Sequence, residues 1–177
     1  MVLSVANAVT GVTPQDSTDD LRAKADQGDP ISQFELGSAY ETGLHGLPQD
    51  GGEAARWYRL AAEQELVLAQ YRLGLLYANG ASRFGHAEGV RWLRLAADQG
   101  LADAQYNLGL MHADGRGVPK DDVTAHMWLN LAASRATGEG QNQAAENRDM
   151  IAERWSSTQR AEAQRLAREW NEAHPRD

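Results

Sequence analysis

Five histidines, two pairs of adjacent carboxylates and one arginine set between glycines are the residues of this chain whose types could do chemistry. The histidines are His45, His86, His112, His126 and His174. A zinc-hydrolase helix needs two imidazoles on one face with a glutamate between them, and no pair here has that spacing. His112 and Asp114 are two residues apart, so on a helix they point away from each other. Asp114-Gly115-Arg116-Gly117 has the glycines of a phosphate or calcium loop. The Gly-Lys-Ser/Thr that completes a P-loop is missing, as are the alternating acids and closing Glu of a calcium loop. Asp19-Asp20 and Asp121-Asp122 fall near expected helix starts, where negative charge meets the positive end of the helix dipole. No serine stands in a nucleophile elbow. Cysteine is absent, which excludes disulfides, thiolate catalysis and thiol-ligated zinc. The residues therefore point to no catalytic group, no metal site and no cofactor.

Composition narrows the partners. The chain has 177 residues, 42% hydrophobic and 24% charged, with a formal net charge of −8. That is a soluble globular composition with room for a sizeable core. An acidic chain without a basic block is unsuited to gripping phosphate backbones or anionic membrane surfaces. No apolar run approaches the length that spans a bilayer. The longest, Met1 to Val12, is interrupted by Ser4, Asn7, Thr10 and Gly11, and the first basic residue is Arg22. This start lacks the basic region of a secretory signal. It predicts a flexible leader over 1–16 and a cytoplasmic protein; a periplasmic chain whose signal had been removed would read the same way.

The elements that must position any site are written in repeats. Three stretches align on a Leu-Gly pair: Ile31 to Tyr40, Leu68 to Tyr77, and Asp103 to His112. Gln, an aromatic, Leu and Gly recur in register, with Gly37, Gly74 and Gly109 spaced 37 and 35 residues apart. A second half-motif follows each, beginning at Trp57, Trp92 and Trp128 and ending in a pair of alanines. Each half reads as a helix. Ser32, Leu36 and Tyr40 share one face, as do Trp57, Leu60 and Ala61. Asp50 with Glu53 resembles a capping box. Gly43, Gly80 and Gly115 stand just past the first helices, and Gly28 and Gly100 past second ones, where a left-handed residue ends a helix. Gly37, Gly74 and Gly109 fall mid-helix, where glycine costs about 1 kcal/mol against alanine. That placement predicts another helix crossing closely there.

The ends read as caps. A helix is expected over 17–27, with Leu21 and Ala25 on its inner face. A Gly-rich break at Gly138 and Gly140 precedes a helix over about 142–155. Ser156 with Gln159 would cap a last helix ending near Glu172. The expected organisation is a leader over 1–16 and one solenoid domain over 17–172. Within that domain lie a cap helix (17–28), three repeats (29–64, 65–100 and 101–137) and capping helices (138–172), with a tail over 173–177. The fold class is all-α.

These residues resemble the Sel-one-like repeat family, relatives of the tetratricopeptide repeats. The third repeat carries the resemblance best, through Ala104, Gln105, Leu108, Gly109, Gly115, Gly117, Val118, Asp121, Ala125, Trp128, Ala132 and Ala133. It departs at His112, where Tyr is usual. The first repeat has Ser32 for Ala and Leu47 for Val. The second has Gly85 for Asp and Gly89 for Ala, which predicts a weakly capped second helix. The closing stretch from Arg148 to Trp170 resembles the tail that often ends such proteins. The resemblance implies a right-handed α-solenoid used as an adaptor or scaffold. Cysteine-rich relatives are linked to β-lactam chemistry, and this chain lacks their cysteines.

By analogy with tetratricopeptide repeats, the positions just after the Gln and just after the Leu-Gly pair look into a concave groove. Here these are Phe34, Tyr71 and Tyr106, then Ser38, Leu75 and Leu110; one turn on come Glu41, Ala78 and Ala113, with Asn79 and Asp114 beside them. Repeated aromatics suit protein recognition, and they suit packing between repeats equally well. The sequence thus favours a module that binds a protein or peptide, as a monomer or weak homo-oligomer. The alternatives are a self-associating structural subunit and, least supported, a hydrolase of cell-wall or β-lactam type.

Overall fold

The structure is a computed structural model that describes residues 14–80, 83–153 and 155–175. Its described residues form nine helices and no strand: α1 (Pro14–Asp26), α2 (Pro30–Thr42), α3 (Gly51–Glu63), α4 (Val67–Asn79), α5 (Arg83–Asp98), α6 (Ala102–Asp114), α7 (Asp122–Arg135), α8 (Gly138–Ala152) and α9 (Ser157–Ala173). The helices make two compact units, Met1–Ala69 and Gln70–Asp177. Most of the expected leader lies outside the described residues, and its last residues already belong to α1, which starts at Pro14.

In the first unit α2 packs against both α1 and α3. Asp29 caps α2 by accepting from the Ser32 N–H at 2.7 Å, and Pro30 fills the first helical position, where no donor is needed. Asp50 caps α3 through the Gly52 and Glu53 N–H groups; the Glu53 side chain turns instead to Arg56. Leu36, Tyr58, Ala54 and Ala61 are fully buried. Burying each large apolar side chain contributes about 1.5–3 kcal/mol. Gly37 lets α3 approach: a Cβ there would lie 2.7 Å from Cδ1 of Tyr58.

The second unit repeats the arrangement. A Cβ on Gly74 would sit 2.8 Å from Cγ of Leu93, and one on Gly109 2.8 Å from Cγ of Leu129. The close crossing that the mid-helix glycines predict is therefore present in all three repeats. Gly89 goes further. Its added Cβ would meet the Ala78 nitrogen at 2.8 Å and the Gly74 carbonyl oxygen at 2.9 Å, so α4 and α5 touch backbone to backbone. What reads in sequence as a lapse from Ala is a steric requirement.

Two expectations about glycine fail. Gly43 and Gly115 end their helices in the left-handed region, but Gly80 does not adopt it. The break falls earlier than expected, at Ala136 and Thr137; α8 begins at Gly138, whose φ is +61°, and runs through Gly140. Ala144 of α8 is buried against Ala132 and Ala133. At the other end of the unit Ser156 and Gln159 form the reciprocal capping box the spacing predicts.

The recurring glutamines have a defined task. Gln33 is buried and donates from Nε2 to the Ala25 carbonyl at 3.1 Å, and Gln105 does the same to Ala97 at 3.1 Å. Each ties the start of a first helix to the carboxyl end of the helix before it, filling a carbonyl left open there.

Candidate protein-interaction site

The nine sequence-derived positions sit on the first helices α2, α4 and α6. The Leu and Gly that precede Ser38, Leu75 and Leu110 are buried, whereas those three residues are only half-buried. Helical geometry turns the pair inward and leaves the next position at the edge of the packed face.

On α2, Phe34 and Ser38 line a cleft of about 500 Å³, closed by Leu21, Lys24 and Leu44 among others. The Phe34 ring also lies 5.4 Å from that of Tyr58, so one side of it belongs to packing within the repeat. Glu41 is engaged elsewhere, accepting from the Tyr58 hydroxyl at 2.7 Å. Tyr71, Leu75 and Asn79 run along α4, with Asn79 exposed. Burial pushes the Tyr71 phenol above its ordinary value, and its oxygen accepts from Asn107 Nδ2 at 3.5 Å.

Tyr106 repeats that role with better geometry. Its ring packs against the buried Ala132, Ala133 and Ala144, and its oxygen accepts from Asn147 Nδ2 at 2.9 Å. Both tyrosines thus hold an asparagine of the following first-type helix. Leu110 and Asp114 line a second cleft of about 370 Å³ between α6, the start of α7 and α8. Lys120, Asn147, Met150 and Ile151 complete much of its wall. Lys120 Nζ lies 3.6 Å from Asp122 Oδ1, while Asp114 has no hydrogen-bond or ion-pair partner among the described residues. The α8 side of this cleft is invisible to the repeat alignment, because that helix does not repeat the motif.

Several of the residues that first suggested chemistry have structural tasks. Asp121 caps α7; burial pushes its carboxyl up, but bonds from Thr124 and Val123 outweigh that and hold it low. Gly115 ends α6, and Arg116 donates to the Ala78 carbonyl at 2.7 Å. His112 is half-buried and His126 is buried with its ring 5.0 Å from Trp155. Burial pushes both imidazoles down; for His126 the Arg148 guanidinium adds to the effect. Among the described residues no group of three His, Cys, Asp or Glu is placed to hold a metal ion, and no helix is long and apolar enough to cross a membrane.

Helix pairs stacked on small residues, with Trp and the alanine pair buried in each second helix, define a helical-repeat protein. The Sel1 repeat pattern matches residues 30–66, 67–101 and 102–136, and the chain belongs to that family. A search of curated proteins found no match. Several solved structures share the fold, among them the following two. One is c5321, a protective antigen of uropathogenic Escherichia coli displaying an SLR fold, with TM-score 0.67 and 27% identity over 92% of this chain. This chain spans 42% of that protein's length. The other is a Sel1 repeat protein from Oxalobacter formigenes, with TM-score 0.60 and 37% identity, covering 73% of this chain and 98% of that one.

Proposed function

We propose that this chain is a protein-interaction module, an adaptor or scaffold that holds a partner protein or peptide through its first helices and does no chemistry of its own. One observation carries the reading. Ser38, Leu75 and Leu110 recur at one repeat position and stay half-exposed while the residues before them are spent on packing. A monomer gains nothing from half-exposed leucines at two of these three positions, whereas an interface does. Two of the three adjoin clefts, and polar residues rim both. The second helices differ: Trp57, Trp92 and Trp128 are buried, with arginine guanidiniums over their rings.

The test immobilises the wild type, the variant Ser38→Arg/Asn79→Arg/Asp114→Lys, and the control Arg56→Gln/Arg91→Gln on second helices. Each is exposed to host lysate after circular dichroism has verified its fold. The reading predicts a protein retained by wild type and control and lost by the triple variant. Equal retention by all three would move the site off the first helices. Turnover of a chromogenic β-lactam by the pure protein would overturn the non-catalytic part.

A further inference from the structure

The cleft between α6 and α8 has the chemistry to say what kind of segment it takes. Its apolar lining comes from both helices: Leu110 and Ala113 from α6, Met150 and Ile151 from α8. Met150 is 68% exposed, a large cost for an apolar side chain to leave in water. Its charged lining is two carboxylates, Asp114 and Asp122, and a single cation, Lys120. Lys120 approaches Asp122 at 3.6 Å, which leaves the Asp114 charge uncompensated among the described residues. Asn147 is held in the wall by Tyr106, which accepts from its Nδ2 at 2.9 Å. The Asn147 Oδ1 then has no partner among the described residues and can accept one more hydrogen bond.

We infer that this cleft binds a peptide segment in which an apolar side chain is followed directly by Lys or Arg. The apolar side chain lies on Leu110, Met150 and Ile151, the cation faces Asp114, and Asn147 takes a peptide N–H. The net charge of −8 adds a general attraction for such a segment and cannot by itself choose this cleft. Tyr106 acts here as a positioning residue, through Asn147. The inference rests on the protein-binding reading above and specifies the partner's chemistry.

The test is an NMR titration of the full chain with two defined probes, the capped tetrapeptides acetyl-Gly-Leu-Lys-Gly-amide and acetyl-Gly-Leu-Glu-Gly-amide. The readouts are the methyl signals of Met150, Leu110 and Ile151 and the side-chain amide of Asn147. The Lys peptide is expected to shift these four residues together, with at least about five-fold tighter apparent binding than the Glu peptide at low salt. Asp114→Asn should bring the two peptides within two-fold of each other. Met150→Ser, at an exposed position that tolerates the change, should weaken both. Shifts that map to another cleft would overturn this assignment and leave the protein-binding reading standing. Equal response to both peptides, or no response at these residues, also overturns it.

Discussion

Replacing Gly89 by alanine separates a packing argument from a family-pattern argument, because the two disagree on the sign. The other two repeats carry a buried alanine at this position, Ala54 and Ala125. A pattern-based view therefore expects Gly89→Ala to stabilise, and intrinsic helix propensity agrees by about 1 kcal/mol. The structure says otherwise. The added Cβ would meet the Ala78 nitrogen at 2.8 Å, the Gly74 oxygen at 2.9 Å and the Ala78 Cα at 3.1 Å. All three are backbone atoms of α4, so no rotamer change relieves them. Forcing a methyl into a filled interior costs about 1–3 kcal/mol, and rigid neighbours put this site toward the upper end. The net expectation is a loss of about 1–2 kcal/mol, or a fall in Tm of about 3–6 °C for a chain of this size. Gly51→Ala is the control, since nothing lies within 4 Å of its added Cβ. It should leave stability unchanged or raise it by a few tenths of a kcal/mol. Helix ellipticity at 222 nm, followed through heat and urea, reads both. A Gly89→Ala protein as stable as the wild type would show that α4 and α5 do not meet as described, and the packing argument would fail with it.

Three further outcomes follow from the second unit. Burial disfavours the protonated form of His112 and His126, so as the pH falls the unfolded chain takes up these protons more readily than the folded one. Stability from these groups is full above about pH 6.5 and is lost as the pH falls below it; the urea midpoint should drop between pH 7.5 and 5, and less so in His112→Gln/His126→Gln. An unchanged midpoint in the wild type would contradict their burial. Asp98 accepts from Nε1 of the buried Trp170 at 3.1 Å and pairs with Arg94, whose guanidinium lies over Trp128. Asp98→Ala should cost about 1–3 kcal/mol by stranding the indole N–H, and should raise hydrogen exchange along α9. Ser156→Ala removes one arm of the capping box and should cost about 1 kcal/mol, read as faster exchange at the first turn of α9 with the repeats unaffected.

How far the sequence could be read depended on whether a feature repeats. The first and second helices, their periodic glycines and the capping residues Asp50 and Ser156 were all legible, because each has one local physical cause. Gly89 was not, since a sequence cannot say that two backbones touch at one point. The glutamines were visible as a pattern without a role; their partners are carbonyls eight residues back, and those bonds exist only once the turn is folded. The candidate site divides the same way. Leu110 and Asp114 could be found by register, and they do share a cleft. Asn147, Met150 and Ile151 could not, because α8 breaks the period. Tyr106 was open between groove and core on sequence grounds, since a half-buried aromatic satisfies both. Its ring on the alanine cluster and its bond to Asn147 give it a structural task at the edge of the cleft.

The central claim is that the first helices, and not the second, carry the binding positions. The most direct measurement places a photo-crosslinking amino acid singly at Asn79 and Asp114 on first helices and at Arg56 and Arg91 on second helices, all exposed positions. Each protein is irradiated in host cells. The account predicts that one and the same partner is captured from Asn79 and Asp114 and is absent from Arg56 and Arg91. Capture from the second-helix positions alone would contradict it.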